Sequence, residues 1–281
     1  MRILTFDIEE WFHLLENEST ATEVQWSQFP VRIHKNTDRI LSVLNETNTR
    51  ATFFIIGWIA EKYPEVVRKL AEKYEIGSHT MMHELVWSKK RGEFRQDVER
   101  SIRVLEDLIG KPVKYFRAPG FSIRDTEPWA FDVIANCGIE IDCSVFPAKH
   151  AHGGIESYGA AAPSMIEHNG VKLKELPICL HSLAGRNIIF SGGGYFRLLP
   201  YSIIKKWTAE KDYIMSYIHP RDLDGGQPIL EGLSAIRRFK AYVGTGGAER
   251  KLRRWLTDFE FTDIAEAHSI IDWDSVPVVK L

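Results

Sequence analysis

The chain has 281 residues, with 36 lysines and arginines against 38 aspartates and glutamates, so its formal net charge is −2 at pH 7. A hydrophobic content of 44% is ordinary for a folded protein and excludes a mainly disordered chain. The nearly neutral charge balance removes the electrostatic argument for nucleic acid as a partner.

Cysteine usage and the N-terminus both bear on the compartment. Three cysteines without a C-x-x-C pair do not make a disulfide framework, so we expect a reducing environment. Only four apolar-leaning residues, 3–6, precede the acidic residues near the N-terminus, whereas a secretory signal needs about 7–15 apolar residues. No later stretch reaches the roughly 18 apolar residues of a membrane span. These patterns predict a cytoplasmic protein.

Short apolar runs alternate with amphipathic stretches, which is the pattern of a parallel sheet with crossover helices. We predict strands near 2–7, 50–56, 75–79, 113–117, 139–143, 173–178, 212–219 and 259–264. We predict helices near 31–47, 59–74, 91–109, 126–136, 200–209 and 229–256. Irregular stretches at about 144–170, 180–199 and 220–228 are long enough to suggest functional loops. Without a linker or an internal repeat, the sequence predicts one domain over 1–281, an α/β barrel whose strand ends carry the chemistry.

The first polar cluster, Asp7-Ile8-Glu9-Glu10, comes directly after the first predicted strand. Side chains alternate along a strand, so Asp7 and Glu9 should point to the same side. Two carboxylates on one side repel each other, and a cation or an arginine would relieve that repulsion. A solvated acidic turn is the alternative interpretation.

The second cluster is His79-Thr80-Met81-Met82-His83, at the end of another predicted strand. The i, i+4 spacing would place both imidazoles on one side of a helical turn, where they could chelate one metal ion. The pattern is weak alone, because surface histidines occur at this spacing by chance. Its position at a strand end, in a chain that also carries Asp7 and Glu9, favours a metal site.

Two further strand ends carry polar residues. Arg117-Ala118-Pro119-Gly120 follows the strand near 113–117, and the arginine could neutralise a buried carboxylate or form a structural ion pair. Glycine at position 120 would let the backbone approach a ligand closely. His219, at the end of the strand near 212–219, lies where a general acid could act, although a lone histidine is more often a packing residue.

In this order the clusters resemble the polysaccharide deacetylase family, the NodB-homology domain of carbohydrate esterase family 4, over residues 2 to about 265. His79-Thr80 with His83 is similar to the family's H-[ST]-x-x-H motif, and Arg117-Ala118-Pro119 is similar to its R-x-P motif. The opening Asp7-Ile8-Glu9 departs from the commoner pair of adjacent aspartates. It resembles a branch associated with exopolysaccharide and surface-glycan gene clusters, as do the segments 142–147 and 192–200.

The resemblance implies a distorted (β/α) barrel of about seven strands and a set of site residues. It implies Asp7 as general base held by Arg117, and His219 as the acid that protonates the departing amine. The implied metal ligands are His79, His83 and one carboxylate. Same-face alternation favours Glu9 for that carboxylate, with Glu10 as the fallback. The backbone N–H of Gly120 would stabilise the oxyanion, and Asp142 is a candidate for substrate binding, although the family's nearby tryptophan is absent.

Two other segments are candidates for ligand contact. The loop 191–200 would close over the sugar with Tyr195 and Arg197 as contacts, unless it is a glycine-rich structural turn. A basic stretch with interleaved aromatic residues is usually a solvated helix face, but it would also suit a phosphate-bearing or lipid-linked glycan at a membrane surface. This stretch contains Arg237, Arg238, Phe239, Lys240, Tyr242, Arg250, Lys251, Arg253, Arg254 and Trp255.

Together these features predict a metal-dependent hydrolase that removes an N-acetyl group from an aminosugar in surface-glycan or exopolysaccharide biosynthesis. Zinc is the expected ion, with cobalt, manganese or nickel as alternatives. A deformylase, a cyclic-amide hydrolase and a catalytically silent glycan-binding protein are the competing hypotheses. The expected substrate is an N-acetylated sugar, an oligosaccharide, or a nucleotide-linked or lipid-linked glycan, and no nucleic acid.

Overall fold

The computed structural model describes residues 1–183 and 185–281. Its strands are β1 (Arg2–Ile3), β2 (Thr5–Ile8), β3 (Thr52–Ile55), β4 (Glu75–Ser78), β5 (Tyr115–Phe116), β6 (Ile141–Asp142), β7 (Ser164–His168), β8 (Val171–Glu175), β9 (His181–Leu183), β10 (Arg186–Ile188), β11 (Ile214–Met215) and β12 (Val278–Lys280). Its helices are α1 (Glu23–Trp26), α2 (Ile33–Thr47), α3 (Gly57–Lys62), α4 (Pro64–Ala71), α5 (Arg91–Ile109), α6 (Trp129–Asn136), α7 (Gly193–Leu198), α8 (Tyr201–Ala209), α9 (Ala235–Tyr242), α10 (Thr245–Asp258) and α11 (Ile264–Ile270).

The centre of the protein is a sheet in the order β12-β7-β8-β6-β5-β4-β3-β2. From β2 to β6 and on to β8, neighbouring strands run parallel, as the alternation of strands and helices predicted. On the other side of β2, Phe6 bridges Ile218 just beyond β11, and β1 pairs with β11. Residues 2–8 therefore join both sides of the sheet. If residues 2–8 are counted as one strand, the barrel has seven strands, in agreement with the predicted (β/α) barrel of about seven. The other six are β3, β4, β5, β6, β8 and β11.

The barrel strands are apolar because helices cover their outer side. Phe6, Phe53 and Phe116 are fully buried, as expected for parallel strands packed on both faces. Helix α5 has an apolar face that packs on the sheet side, where Phe94 and Val98 are buried in the core. The helix ends at Gly110, whose φ of 68° suits a left-handed cap. The predicted helix over 91–109 is confirmed.

Several predicted elements are corrected by the structure. The helix predicted over 59–74 divides at Pro64, which has no backbone N–H and begins α4. The helix predicted over 229–256 is two helices separated by Gly244, whose φ is 74°. The strand predicted at 259–264 is reduced to one bridge between Thr262 and Ile3.

The irregular stretches predicted in the second half of the chain contain regular elements. Strand β7 pairs antiparallel with β8, and α7 forms within the glycine-rich segment.

No helix among the described residues is both long and apolar enough to cross a membrane. The sheet continues from β6 to β8 without a break, so the two halves of the chain share one barrel. The polar clusters all follow the carboxyl ends of its strands, which lie at one mouth of such a barrel.

Candidate metal and catalytic site

One carboxylate and two imidazoles converge where β2 and β4 end. Glu9, His79 and His83 each offer a ligand atom within 4.8 Å of the other two, and all three side chains are buried. Glu9 Oε2 lies 3.3 Å from His83 Nε2. Two histidines and one carboxylate suit a divalent ion of the zinc type and leave coordination positions for water and substrate. The structure thus brings together the three residues predicted as metal ligands.

The segment that carries the histidines is a loop, so the predicted helical turn is wrong. Thr80 and His83 have positive φ values of 63° and 55°, which no right-handed helix contains. The loop is held by one bond to a helix and one bond of its own: the N–H of Met81 donates to Asp97 of α5 over 2.7 Å, and the N–H of His83 donates to the Thr80 hydroxyl over 3.2 Å. These contacts turn His79 and His83 toward the same point without helical periodicity.

The histidines have the protonation state that a metal ligand needs. Burial lowers the pKa of His79 to about 4 and the pKa of His83 well below its usual value, so both are neutral near pH 7. His79 Nδ1 lies 2.7 Å from the carbonyl oxygen of Arg117. Because a carbonyl only accepts, Nδ1 carries the proton and the Nε2 lone pair is free for an ion.

Glu9 shows why a cation fits this site. Its side chain is enclosed, and burial raises its pKa to about 8 despite the opposing charge of His219. The charge of His219 alone does not lower this pKa to its usual range, and a divalent ion would supply the further positive charge that favours the ionised carboxylate. The donor set and the electrostatics of the site are therefore both suited to a bound metal.

Asp7 and Arg117 form a buried ion pair beside this cluster. Arg117 Nη1 donates to Asp7 Oδ1 and to the Thr5 hydroxyl, over 2.7 Å each, and Nε donates to the carbonyl of Cys143. Burial alone would raise the pKa of Asp7, but Arg117 and the nearby histidines more than offset it and hold the pKa below its usual value. Asp7 is thus ionised and fixed in orientation.

His219 lies across from Asp7 and Glu9. Its Nε2 is 3.1 Å from Glu9 Oε1 and 3.9 Å from Asp7 Oδ2, and its Nδ1 is 2.9 Å from Asp222 Oδ2. Burial opposes the charged imidazolium, but the surrounding carboxylates raise the pKa of His219 to about 9. His219 is therefore protonated at neutral pH and able to donate a proton.

Asp222 is a site residue that the sequence interpretation missed. Arg197 Nε lies 2.8 Å from its Oδ1, while its Oδ2 accepts from the backbone N–H of His219. The available signal was the spacing His-Pro-x-Asp, because an acidic residue three positions after a helix cap can bond back to the cap. Without the fold, the same spacing predicts only a turn.

Three of the expected ligand contacts stay predictions, and the structure shows where each of these residues lies. Asp142 does not line the cavity described below: it is fully buried, accepts from the Ser144 hydroxyl and lies against Glu175. Arg197 reaches the cavity wall, but it donates to backbone carbonyls of 240, 241 and 243 and pairs with Asp222, so it positions other groups. Tyr195 is 45% exposed and is not among the described residues of the cavity wall.

Glu10, the fallback ligand, serves a different purpose. Its carboxylate accepts from the backbone N–H groups of Arg32 and Ile33, over 2.6 and 2.8 Å, and so satisfies donors at the start of α2. The structure thereby separates the two adjacent glutamates: Glu9 faces the histidines, and Glu10 anchors a helix.

The cluster opens into a cavity of about 460 Å³. Asp7, His219 and Gly120 are in its wall, which places the predicted base, acid and oxyanion donor around one space. Gly120 has a φ of 60°, a backbone conformation that favours glycine, and a Cβ there would lie 2.7 Å from Cδ1 of the flexible Leu15 side chain. A space of this size is large enough for a small ligand.

Comparison with known proteins assigns the first half of the chain. The sequence profile named polysaccharide deacetylase matches residues 4–140, the part that contributes Asp7, Glu9, His79, His83 and Arg117. Residues 4–140 therefore carry a polysaccharide deacetylase domain. A second profile, a domain of unknown function called DUF3473, matches residues 143–269, which contribute His219 and Asp222.

The curated relatives match part of their length. The chain is 34% identical over 96 residues to a peptidoglycan-N-acetylglucosamine deacetylase of Bacillus cereus, covering 34% of this chain and 35% of that protein. It is 32% identical over 127 residues to a chitooligosaccharide deacetylase of Sinorhizobium fredii, covering 43% of this chain and 56% of that protein. The chain thus spans about a third to about half the length of these two relatives.

Solved structures agree on the fold. A candidate polysaccharide deacetylase of Mycobacterium smegmatis superposes with a TM-score of 0.65 at 18% identity, covering 99% of this chain and 92% of that one. A 4-alpha-glucanotransferase of Thermococcus litoralis also superposes, with a TM-score of 0.59 at 12% identity, covering 100% of this chain and 42% of that one. The fold alone therefore does not choose a reaction, and the activity must be argued from the site.

Proposed function

We propose that this protein is a metal-dependent hydrolase that removes the N-acetyl group from an aminosugar unit of a surface-glycan or exopolysaccharide intermediate. The observation that carries the proposal is the convergence of an ionised Asp7 and a protonated His219 on a buried Glu9-His79-His83 cluster within one cavity. A base, an acid and a cation site around one space are what amide hydrolysis requires.

Glu9, His79 and His83 would hold the divalent ion, with zinc as the first choice and cobalt, manganese or nickel as alternatives. When bound, such an ion polarises the amide carbonyl and makes water more acidic. The imidazole of His79 is neutral and is oriented by the Arg117 carbonyl, so it could bind the ion without first losing a proton.

Asp7 would act as the general base. It takes a proton from the water molecule whose oxygen attacks the carbonyl carbon of the acetamide. Arg117 orients its carboxylate through Oδ1, and Oδ2 faces His219 and the cavity. The N–H of Gly120 would donate to the carbonyl oxygen as negative charge develops there, a type of contact worth about 3–4 kcal/mol.

His219 would act as the general acid. The C–N bond breaks as its Nε2 proton passes to the departing nitrogen, which leaves as the free amine while the acyl group leaves as acetate. Asp222 keeps the imidazole in place through Nδ1 and favours its charged form. Arg197 in turn holds Asp222, so the acid is supported by two buried side chains.

The substrate and the compartment are also part of the proposal. The named relatives deacetylate peptidoglycan or chitooligosaccharides, which supports an N-acetylated glucosamine-type sugar as the substrate class. We also propose a cytoplasmic location, where the protein would meet nucleotide-linked or lipid-linked intermediates. A formyl group carries a hydrogen where an acetyl group carries a methyl, so deformylation is the alternative that the experiment must distinguish.

The test is a mass-spectrometric screen of the purified, metal-loaded protein against N-acetylated and N-formylated aminosugar conjugates. We expect loss of an acetyl group with release of a free amine, abolished by a chelator and restored by zinc. Loss of formyl groups alone would replace the proposal with the deformylase. Absence of turnover on the whole panel, together with chelator-insensitive glycan binding, would support the silent glycan-binding protein instead.

A further inference from the structure

Helix α9 presents apolar side chains to solvent instead of to the core. Ile236 and Phe239, one turn apart, are 69% and 55% exposed. Among the eight residues of this helix, all of them described, Ala241 is the one that is buried. An amphipathic surface helix normally turns its apolar side inward, so the outward side of α9 calls for another explanation.

Exposed apolar residues are concentrated around this helix. Of the ten large hydrophobic residues that are exposed in the described part of the chain, five lie on α9, on α7 or just before α9: Tyr195, Leu198, Ile229, Ile236 and Phe239. The two helices are tied together, because Arg197 of α7 donates to the carbonyls of Lys240 and Ala241. Grouped exposed apolar residues mark interaction surfaces, whereas single ones are ordinary.

The same helix carries positive charge without acidic residues. Between Glu231 and Glu249 the sequence contains three basic residues, Arg237, Arg238 and Lys240, and no aspartate or glutamate. None of the three has a carboxylate oxygen within 4.0 Å among the described residues, although the guanidinium of Arg237 donates to the backbone carbonyls of Leu15 and Glu16. The charge of this surface is therefore not neutralised within the protein.

Of the four basic residues that the predicted stretch places on α10, Arg250 is exposed, and the other three have partners within the protein. Lys251 donates to the carbonyls of 196, 197 and 199 at the end of α7, Arg253 pairs with Glu46 and Glu249, and Arg254 lies over the ring of Tyr201. Most of the basic residues on α10 therefore serve the fold, whereas the three on α9 have no carboxylate partner among the described residues.

Helix α9 also borders the cavity. Arg237, Lys240 and Ala241 are in the cavity wall together with Glu9 and His219. A surface that docks through α9 would thus lie next to the entrance of the candidate site. Any molecule anchored in that surface would be presented to the site.

We propose that α9 is the element by which this protein docks on an anionic lipid bilayer. Ile236 and Phe239 enter the boundary between headgroups and acyl chains, and Arg238 and Lys240 contact lipid phosphates. A second copy of the chain is a poorer occupant, because a symmetric contact would bring two cationic helices together. That the docked protein acts on a lipid-anchored glycan rests on the proposed function, whereas the docking itself does not.

The experiment is co-sedimentation of the metal-loaded 281-residue protein with phosphatidylcholine vesicles, with and without phosphatidylglycerol. We expect binding to the phosphatidylglycerol vesicles that weakens as salt is raised, because exposed charges are screened. Replacing both apolar residues, Ile236→Ser with Phe239→Ser, should weaken binding on the order of a hundredfold. Arg238→Gln should weaken it about fivefold.

Val24→Ser is the matched control, since Val24 is 74% exposed on α1 and carries no part of the proposed surface. It should bind vesicles like the wild type, and so should Asp7→Asn, which separates docking from catalysis. Turnover of a soluble N-acetylated oligosaccharide should be unchanged in the Ile236→Ser, Phe239→Ser variant. Lack of binding to anionic vesicles at low salt, or a wild-type dimer that this variant converts to a monomer, would overturn the proposal.

Discussion

Asp222 Oδ2 accepts two hydrogen bonds from His219, one from the backbone N–H and one from Nδ1, each over 2.9 Å. One carboxylate oxygen thus holds both the backbone and the ring of the proposed acid. Because a carboxylate only accepts hydrogen bonds, His219 Nδ1 must carry a proton. In the charged imidazolium Nε2 carries the second proton, and this is the one that would be transferred.

Asp222→Asn should lower kcat by up to about 100-fold, because the imidazolium loses the charge that supports it and part of its orientation. KM and metal content should change little, since Asp222 does not belong to the ligand cluster. Steady-state kinetics with metal analysis measures both. Asp274→Asn, at an exposed carboxylate, is the control, and an equal fall in kcat there would contradict the assignment.

His79→Ala should lose both the metal and the activity, whereas Asp7→Asn should keep the metal and lose about 10²- to 10⁴-fold in kcat. The difference follows from geometry: His79 is in the ligand cluster, and Asp7 is oriented by Arg117 beside it. Elemental analysis of the purified variants is the measurement. His34→Ala, at an exposed histidine, should retain both properties. Stoichiometric zinc in His79→Ala would refute the ligand set.

The adjacent glutamates should respond differently to the same substitution. Glu9→Gln should lose metal affinity, because an amide is a poor replacement for an anionic ligand. Glu10→Gln should keep the metal but destabilise the protein by about 1–3 kcal/mol, because it weakens the acceptors for Arg32 and Ile33 at the start of α2. Metal titration and chemical unfolding of both variants form the test. Loss of metal from Glu10→Gln alone would reverse the assignment.

Asp224 should make the fold sensitive to acid. It is fully buried and bonds to Arg32, Asn36 and Arg39, and although burial acts the other way, these partners lower its pKa below the usual 3.8. A lowered carboxyl pKa contributes stability above the unfolded-state value, and that contribution is lost as pH falls through the folded-state value.

Asp224→Asn should therefore cost about 1–3 kcal/mol of unfolding free energy at neutral pH. The difference in unfolding free energy between the wild type and the variant should become smaller as the pH falls below about 4. Urea unfolding of both proteins across this range is the measurement. A gap that stays constant down to the acid limit would show that the ionised form of Asp224 is not what stabilises the fold.

The barrel and much of the site were accessible from the sequence. Apolar runs bounded by polar clusters predicted the strands, and the helix over 91–109 followed from the spacing of Phe94, Val98 and their neighbours. Alternation along the first strand singled out Asp7 and Glu9 because the side-chain period of a strand is set by local geometry. Where one residue decides the local conformation, as Pro64 and Gly244 do, the predicted helices were too long.

Asp222, Arg197 and Asp142 were beyond the sequence interpretation for a different reason. Arg197 was expected to contact substrate, yet its guanidinium meets three backbone carbonyls of the segment 240–243 and the carboxylate of Asp222. Asp142 was expected in the cavity and lies in the core. Both outcomes depend on which distant segments pack together, and residue type does not encode that.

What the sequence by itself determined is the set of chemically capable side chains and the strand ends from which they project, because local periodicity and residue chemistry are properties of short segments. Tertiary structure alone decided which of them share one cavity, which glutamate faces the histidines, and that α9 turns Ile236 and Phe239 outward. These choices arise from contacts between segments far apart in the chain, where burial, pairing and exposure are settled by packing.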